Sequence, residues 1–464
     1  MMFHDDSPPE HTLPSNASVS APAANLGNPS FSRRFPKAPP DVLDFVLFLP
    51  GIWLACSLGL SLRLIGTFFV VAPLGVCLLY AVLRRTIPPR LLTAYIGFSI
   101  FIAALSKFQL MPNSWQVHFL EDAIVRQLVP LLGFFAVAWA SKAYFRRRLI
   151  DGDIIFAAPI FLFCSLIIAP AVMAQQGLSY QGDTVAYSVT ALYGSLTNNI
   201  AIATFFLMSA IFRTKDLRRY LSLMFVLGVA ASTHFIQFHF LAVAVLATLF
   251  GFRGRVVIVT LIAAMLIIYV VAFTQLLELL ANNPNSGIRL VFLADAFRSA
   301  IDTAGMGIGY GKESVRWVYH FPNMPAWTFR PDPGMITHAR MLELMSTGVE
   351  NSFVESLLRT GVIGFALFSA AFFATFPPRN LPPALEGHAA AVFSMMLIGC
   401  FVNSSLESPL SAVGMGFVYG YLISLRGSAS RPLRSVAEDR SVLHFRESLP
   451  VHAGVAARTS AQMH

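Results

Sequence analysis

The stretch VVIVTLIAAMLIIYVVAFTQL, from Val256 to Leu276, holds no charged residue, and Arg253 and Arg255 stand immediately before it. At 1.5 Å of rise per residue, a helix of this length covers roughly 30 Å, the thickness of a bilayer's hydrocarbon core. It is apolar on every face, so it has no side to offer to water. The stretch predicts a membrane-spanning helix. Cytoplasmic loops carry an excess of Lys and Arg, which sets its arginine end inside.

The rest of the chain repeats the pattern. Of 464 residues, 56% are hydrophobic and 12% charged, with a mean hydropathy of +0.64, a combination that soluble domains rarely carry. Further apolar runs of spanning character lie at Phe45–Leu62, Leu64–Leu83, Leu91–Leu105, Ile124–Ala140, Ile154–Ala174, Leu196–Phe212, Phe353–Phe376, Ala389–Leu406 and Leu410–Leu425. The run from Tyr220 to Phe252 is too long for one ordinary helix. Arg213, Lys215, Arg218 and Arg219 precede it, and Arg253 and Arg255 follow it, so both flanks belong inside. Only an even number of crossings allows that, which predicts a hairpin near Ser232–Thr233.

The expected fold is all-α: a polytopic integral membrane protein of about twelve transmembrane helices. Both termini are cytoplasmic, and one large outside loop joins the ninth and tenth spans. Residues 1–40 and 427–464 are Pro/Ser/Ala-rich and Ser/Arg/Ala-rich. Neither segment has the apolar surface to offset ordering, so both are predicted to be disordered cytoplasmic tails around a transmembrane domain at 41–426. No small-residue cleavage site follows the first apolar run, so no removable signal peptide is expected.

The formal charge of +9 is scattered in small clusters between spans; these are orientation signals, and no nucleic-acid partner is expected. Cys56, Cys77, Cys164 and Cys400 sit inside apolar runs, as small hydrophobes do. No metal or cofactor site is expected.

The outside loop runs from about Leu277 to Asn351. Asn283-Pro284-Asn285-Ser286-Gly287 reads as a turn. Arg289–Thr303 reads as an amphipathic helix with Leu290, Leu293, Phe297, Ala300 and Ile301 on one face and Asp295, Arg298 and Asp302 on the other. Gly305-Met-Gly-Ile-Gly-Tyr-Gly311 follows, with Gly307, Gly309 and Gly311 alternating. Such glycines permit close backbone approach and outward N–H groups for an anion, or simply a tight connector. Trp317–Pro333 is aromatic, suited to an interfacial belt or to sugar and lipid faces. A short helix, His338–Ser346, is next. Asn351 caps a helix, with Ser352 and Glu355 in capping-box spacing, and that helix is expected to continue through Gly361-Val-Ile-Gly364.

The segment Gly348-Val-Glu-Asn-Ser-Phe-Val-Glu-Ser-Leu-Leu-Arg-Thr-Gly-Val-Ile-Gly364, together with Met306-Gly-Ile-Gly-Tyr-Gly311 and the arginine-bearing Arg289–Arg298 before it, resembles the signature of the O-antigen ligase and polysaccharide polymerase superfamily. The resemblance covers roughly residues 195–425. It implies glycosyl transfer at the outer face of the bacterial inner membrane, from an undecaprenyl-pyrophosphate-linked oligosaccharide to an acceptor sugar hydroxyl. Implied partners are that lipid-linked glycan, membrane lipids and other polysaccharide export or chain-length proteins. Two departures favour a polymerase over a ligase. Glu350 stands where the ligases carry a His, and Ser232-Thr-His-Phe replaces a Ser-Arg pair.

The reaction the resemblance implies needs cations at the departing pyrophosphate and a base for the acceptor hydroxyl. Guanidinium groups can hold phosphates bidentately without a metal. Arg289 and Arg298 are the first candidates, although their nine-residue spacing does not put them on one side of a helix. Arg340 and Arg359 are next. Arg359 sits in the first turns of a spanning helix, where a cation is costly and functional or else reaches back to the interface. Glu350 is the candidate base and His338 the alternative, with Glu350 otherwise serving the helix N-terminus electrostatically. His234, in the hairpin, can face substrate or be an interfacial histidine. The rival functions are a transporter or flippase for lipid-linked oligosaccharide, an O-antigen ligase, and a non-catalytic membrane subunit.

Overall fold

The computed structural model describes residues 42–48, 51–52, 68–111, 120–147, 200–213, 217–232, 236–276, 278, 284–311, 351–402 and 409–429. Regular structure among them is helical throughout. A π-helical turn at Asp44–Phe48 precedes α1 (Phe68–Leu83), α2 (Arg90–Lys107), α3 (Leu120–Arg147), α4 (Ile200–Arg213) and α5 (Leu217–Ser232). Then come α6 (Ile236–Leu249), α7 (Gly254–Thr274), α8 (Pro284–Asp302), α9 (Ser352–Phe373), α10 (Pro383–Val402) and α11 (Pro409–Ala429). Five segments among the described residues are long and apolar enough to cross a membrane: Arg90–Lys107, Gln127–Arg146, Gly254–Thr274, Ser352–Phe373 and Pro383–Phe401. The predicted span at 154–174, most of that at 45–62, and residues 1–40 and 430–464 lie outside the described residues.

The ambiguous run after Arg219 divides into α5 and α6, which pack on one another and part near Ser232, where the charged flanks demand a break. Elsewhere the boundaries moved. α10 begins at Pro383, ahead of the expected Ala389, because proline suits the first turn of a helix and Glu386 there accepts from the Gly254 amide at 3.2 Å. α11 continues to Ala429, into what composition had assigned to the tail.

Hydrogen bonds sort the helix ends into two groups. At one end, Arg255 donates to the Pro377 carbonyl at 2.6 and 3.0 Å, and Arg426 to Ala374 at 2.8 Å. Beside them Lys142 reaches Ile87 at 2.8 Å and Trp139 reaches Thr86 at 2.7 Å. These cations and the indole meet carbonyls in or beside helix termini, where orphan acceptors and the negative dipole end favour them. The other ends of α2, α3, α7, α9 and α10 share the opposite side, described below. α2, α3, α7, α9, α10 and α11 therefore alternate in direction in chain order.

The core is packed tightly enough to require small residues. Gly416 and Gly420 of α11, four positions apart, lie on the backbone of α3. A β-carbon at 416 would sit 2.5 Å from the Phe134 carbonyl oxygen, and one at 420 would sit 2.7 Å from the Lys142 nitrogen. This is small-xxx-small packing, used where lipid removes the hydrophobic drive for helix association. α10 is buried along most of its length, whereas α7 exposes Val256, Val259, Leu266, Ile267, Val270 and Val271. Inside the bundle, His388 Nε2 donates to the Phe205 carbonyl at 3.0 Å, and its Nδ1 pairs with the Tyr421 hydroxyl at 2.7 Å. A carbonyl can only accept, so the pairing with Phe205 places a hydrogen on Nε2.

Candidate functional site

The helix ends opposite the basic ones meet at Asn351. Its extended backbone leads into α9, and its Oδ1 accepts from the amides of Phe353 at 3.0 Å and Val354 at 3.1 Å, two of the donors a helix start leaves unsatisfied. Its Nδ2 donates to the Phe401 carbonyl of α10 at 2.9 Å, and the Tyr269 hydroxyl of α7 reaches the same carbonyl at 2.6 Å. One asparagine thus ties three helices. Asn351 is the cap that the sequence predicted, and Ser352 is the first residue of the helix. Glu355 pairs with Arg359, whose Nε donates to Glu355 Oε1 at 2.6 Å with both side chains buried.

The expected unbroken passage through Gly361 is not what the chain adopts. Gly361 has φ 69° and ψ −167°, and the helical hydrogen bonding of α9 is interrupted there. The segment Gly305–Gly309 fills the interruption. Ile308 N donates to the Leu358 carbonyl at 2.8 Å, Gly309 N to the Arg359 carbonyl at 3.1 Å, and Val362 N to the Gly305 carbonyl at 2.8 Å. Only glycine allows this approach: a β-carbon on Gly307 would lie 2.6 Å from Gly361 N and 2.8 Å from the Leu358 oxygen. Gly305, Gly307, Gly309, Gly311 and Gly361 all have positive φ, the region L side chains avoid.

The alternating glycines therefore serve close packing, the tight connector among the two readings of their spacing, and not an outward amide cradle. Their N–H groups are spent on the protein. Gly307 N reaches Thr303 Oγ1 at 3.1 Å, Tyr310 N reaches Ser106 Oγ of α2 at 2.9 Å, and Gly311 N reaches Gln127 Oε1 of α3 at 2.8 Å. Tyr310 is buried against Ile102, Ala103, Met111 and Ile124. Arg359 adds a bond from Nη1 to the Gly309 carbonyl at 3.4 Å. A buried ion pair is stabilising only if its remaining polar atoms are also met, and Gly309 helps meet them.

α8 starts at Pro284, inside the stretch expected as a turn, since proline's fixed φ suits a first helical turn. Leu290, Leu293, Ala296 and Ala300 are buried, whereas Phe297 and Ile301, expected on the same buried face, are exposed. Arg289 and Arg298 lie on this one helix. Arg298 is exposed and 3.9 Å from Asp302. Glu350, His338, Arg340, Trp317 and His234 lie outside the described residues.

The site as built is a platform of helix ends and glycine-rich backbone tied together by hydrogen bonds. Arg359 is buried and bonded to Glu355 and to the Gly309 carbonyl. Sequence reading missed Ser106, Gln127, Tyr269 and His388. Each is a lone polar residue in or beside an apolar helix, and its partner is distant in the chain, so no local pattern marks it. No family model matches the chain, and no curated protein matches it.

Proposed function

We propose that the protein is a polymerase of exported or surface polysaccharide in a bacterial inner membrane. It passes a glycan from undecaprenyl pyrophosphate to an acceptor sugar hydroxyl on the periplasmic side. The basic helix ends and both termini face the cytoplasm, as the positive-inside rule requires, and the Asn351 platform faces the periplasm. The observation that supports this reading most is spatial. Gly305–Gly311 and Asn351–Gly364, the two parts of the family-like signature, are hydrogen-bonded into one unit across α9.

In this reading Glu350, the residue before the cap Asn351 in the chain, removes the proton of the acceptor hydroxyl, with His338 as the alternative base. Arg289, Arg298 and Arg340 stabilise the departing pyrophosphate by charge, and Trp317 and His234 line the glycan path. Arg359 works at one remove, holding the glycine segment on α9.

A flippase or transporter for lipid-linked oligosaccharide is the second reading. The interruption at Gly361 favours it, because transporters place discontinuous helices at their sites. Here, however, the interrupted backbone groups bond Gly305–Gly309 and are occupied already.

The test is gene deletion complemented with wild type, Glu350→Gln or Arg289→Ala, followed by measurement of surface-glycan length. A polymerase predicts single-repeat products in place of long chains in both variants. A ligase would leave long chains unattached on the lipid carrier, and a flippase would trap lipid-linked repeats on the cytoplasmic side. Normal chain length with both variants present in the membrane sinks the assignment.

A further inference from the structure

We infer that residues 284–311 form a re-entrant limb of the membrane domain, whose outer edge at Phe297, Ile301 and Met306 lies against lipid acyl chains. This inference depends on the chain spanning a membrane and not on glycan transfer.

Depth is the first observation. The basic end is marked by Arg426 on the Ala374 carbonyl. Val362, bonded to the Gly305 carbonyl, lies twelve positions before Ala374 along α9, roughly 18 Å at helical rise. An independent ruler agrees. Ser106, which takes the Tyr310 amide, lies sixteen positions along α2 from Arg90, roughly 24 Å. A hydrocarbon core of about 30 Å contains both levels.

The second observation is what the limb does with its backbone. Non-helical chain at membrane depth is tolerated only where protein satisfies its polar groups. The amides from Gly307 to Gly311 all find partners in the protein, as does the Gly305 carbonyl. A water-washed loop has no need of such complete satisfaction.

The third is continuity of the outer surface. Val362 and Ile363 of the spanning helix α9 are exposed apolar side chains at 55% and 64%. Met306 adjoins Gly305, which bonds Val362 directly, and is itself exposed at 57%; Ile301, one turn back on α8, is exposed at 77%. The lipid-facing side of α9 therefore continues onto the limb at the same level. Isolated apolar residues on a surface need no explanation, but a contiguous apolar edge does. Arg298 and Asp302 border this edge and pair with one another, as charged groups near an interface do.

Nitroxide labels on the full-length protein in phospholipid vesicles test this, read by collision with oxygen and with a water-soluble nickel chelate. Labels at Ile301→Cys and Met306→Cys are expected to match one at Ile267→Cys, on the exposed flank of α7, with oxygen collisions several-fold preferred. Matching the aqueous reference Arg253→Cys instead overturns the inference. Where a labelled variant fails to fold, unmodified protein is irradiated with a phosphatidylcholine carrying a mid-chain diazirine, and adducts are mapped by mass spectrometry. Adducts within 297–306 support the limb. Adducts on α7 and α9 with none in 297–306 overturn it.

Discussion

Glu355 and Arg359 stand one helical turn apart on α9, paired at 2.6 Å with both side chains buried. The pair sits beside the glycine segment, with Arg359 also reaching Gly309. Removing one partner leaves the other as an uncompensated buried charge, at a cost of about 3–5 kcal/mol. Arg359→Ala and Glu355→Leu are each expected to lower the melting temperature in detergent strongly. The double variant Glu355→Gln/Arg359→Met is expected to recover part of the loss, since no charge remains buried. A double variant that melts at the sum of the single losses would show the pair to be energetically independent.

Gly251 and Gly307 share a positive φ, at 89° and 78°, but not their surroundings. A β-carbon at Gly251 meets nothing within 4 Å, whereas one at Gly307 meets Gly361 N at 2.6 Å. Gly251→Ala should show only backbone strain, about 1–2 kcal/mol. Gly307→Ala adds the steric clash and should detach the segment from α9. Thermal melts compare the sizes. Protease nicking near residue 305 in the Gly307→Ala variant alone would report the detachment.

The α3–α11 contact admits no extra methyl groups at Gly416 and Gly420. Gly420→Val is expected to cost at least the 1–3 kcal/mol typical of overpacking, because backbone and not a flexible side chain stands in the way. Gly97→Ala is the control. It is exposed in α2 with nothing near its β-carbon, so alanine's better helix propensity should leave stability equal or raised by about 0.5–1 kcal/mol. Yield of monodisperse protein and melting temperature read both.

Asn351 has two separable duties. Asn351→Asp keeps an oxygen for the Phe353 and Val354 amides but loses the donor to Phe401; Asn351→Ala loses both. Alanine should cost about 1–2 kcal/mol for the cap alone, and more for the freed carbonyl. Aspartate is expected to fall between alanine and wild type. Equal losses would mean that the tie to α10 outweighs the cap.

Much of this was legible in the residues. The charged flanks around Tyr220–Phe252 required a break, and α5 and α6 part near it. Asn351 was readable as a cap because capping is a matter of residue type and position next to a helix. Arg359 was marked by the expense of a cation in an apolar helix. Its partner was not, because Glu355 at capping-box spacing from Ser352 and Glu355 one turn from Arg359 are equally good local readings. The structure pairs Glu355 with Arg359, since an unpaired guanidinium inside the bundle is costly. The exposure of Phe297 and Ile301 escaped for a related reason. Periodicity finds an apolar face but not what covers it, and in a membrane lipid competes with protein for that role.

By itself the sequence determined that this is a helical chain of membrane-spanning character and which helix ends are basic. Hydropathy and charge add up residue by residue along a stretch, so no knowledge of distant segments is needed. Only the tertiary structure decided that α9 breaks at Gly361 and that Gly305–Gly311 is packed into the break. That outcome rests on hydrogen bonds such as Tyr310 to Ser106, 204 positions apart. A glycine run permits many close approaches, and the one adopted is the one in which distant helices satisfy its amides.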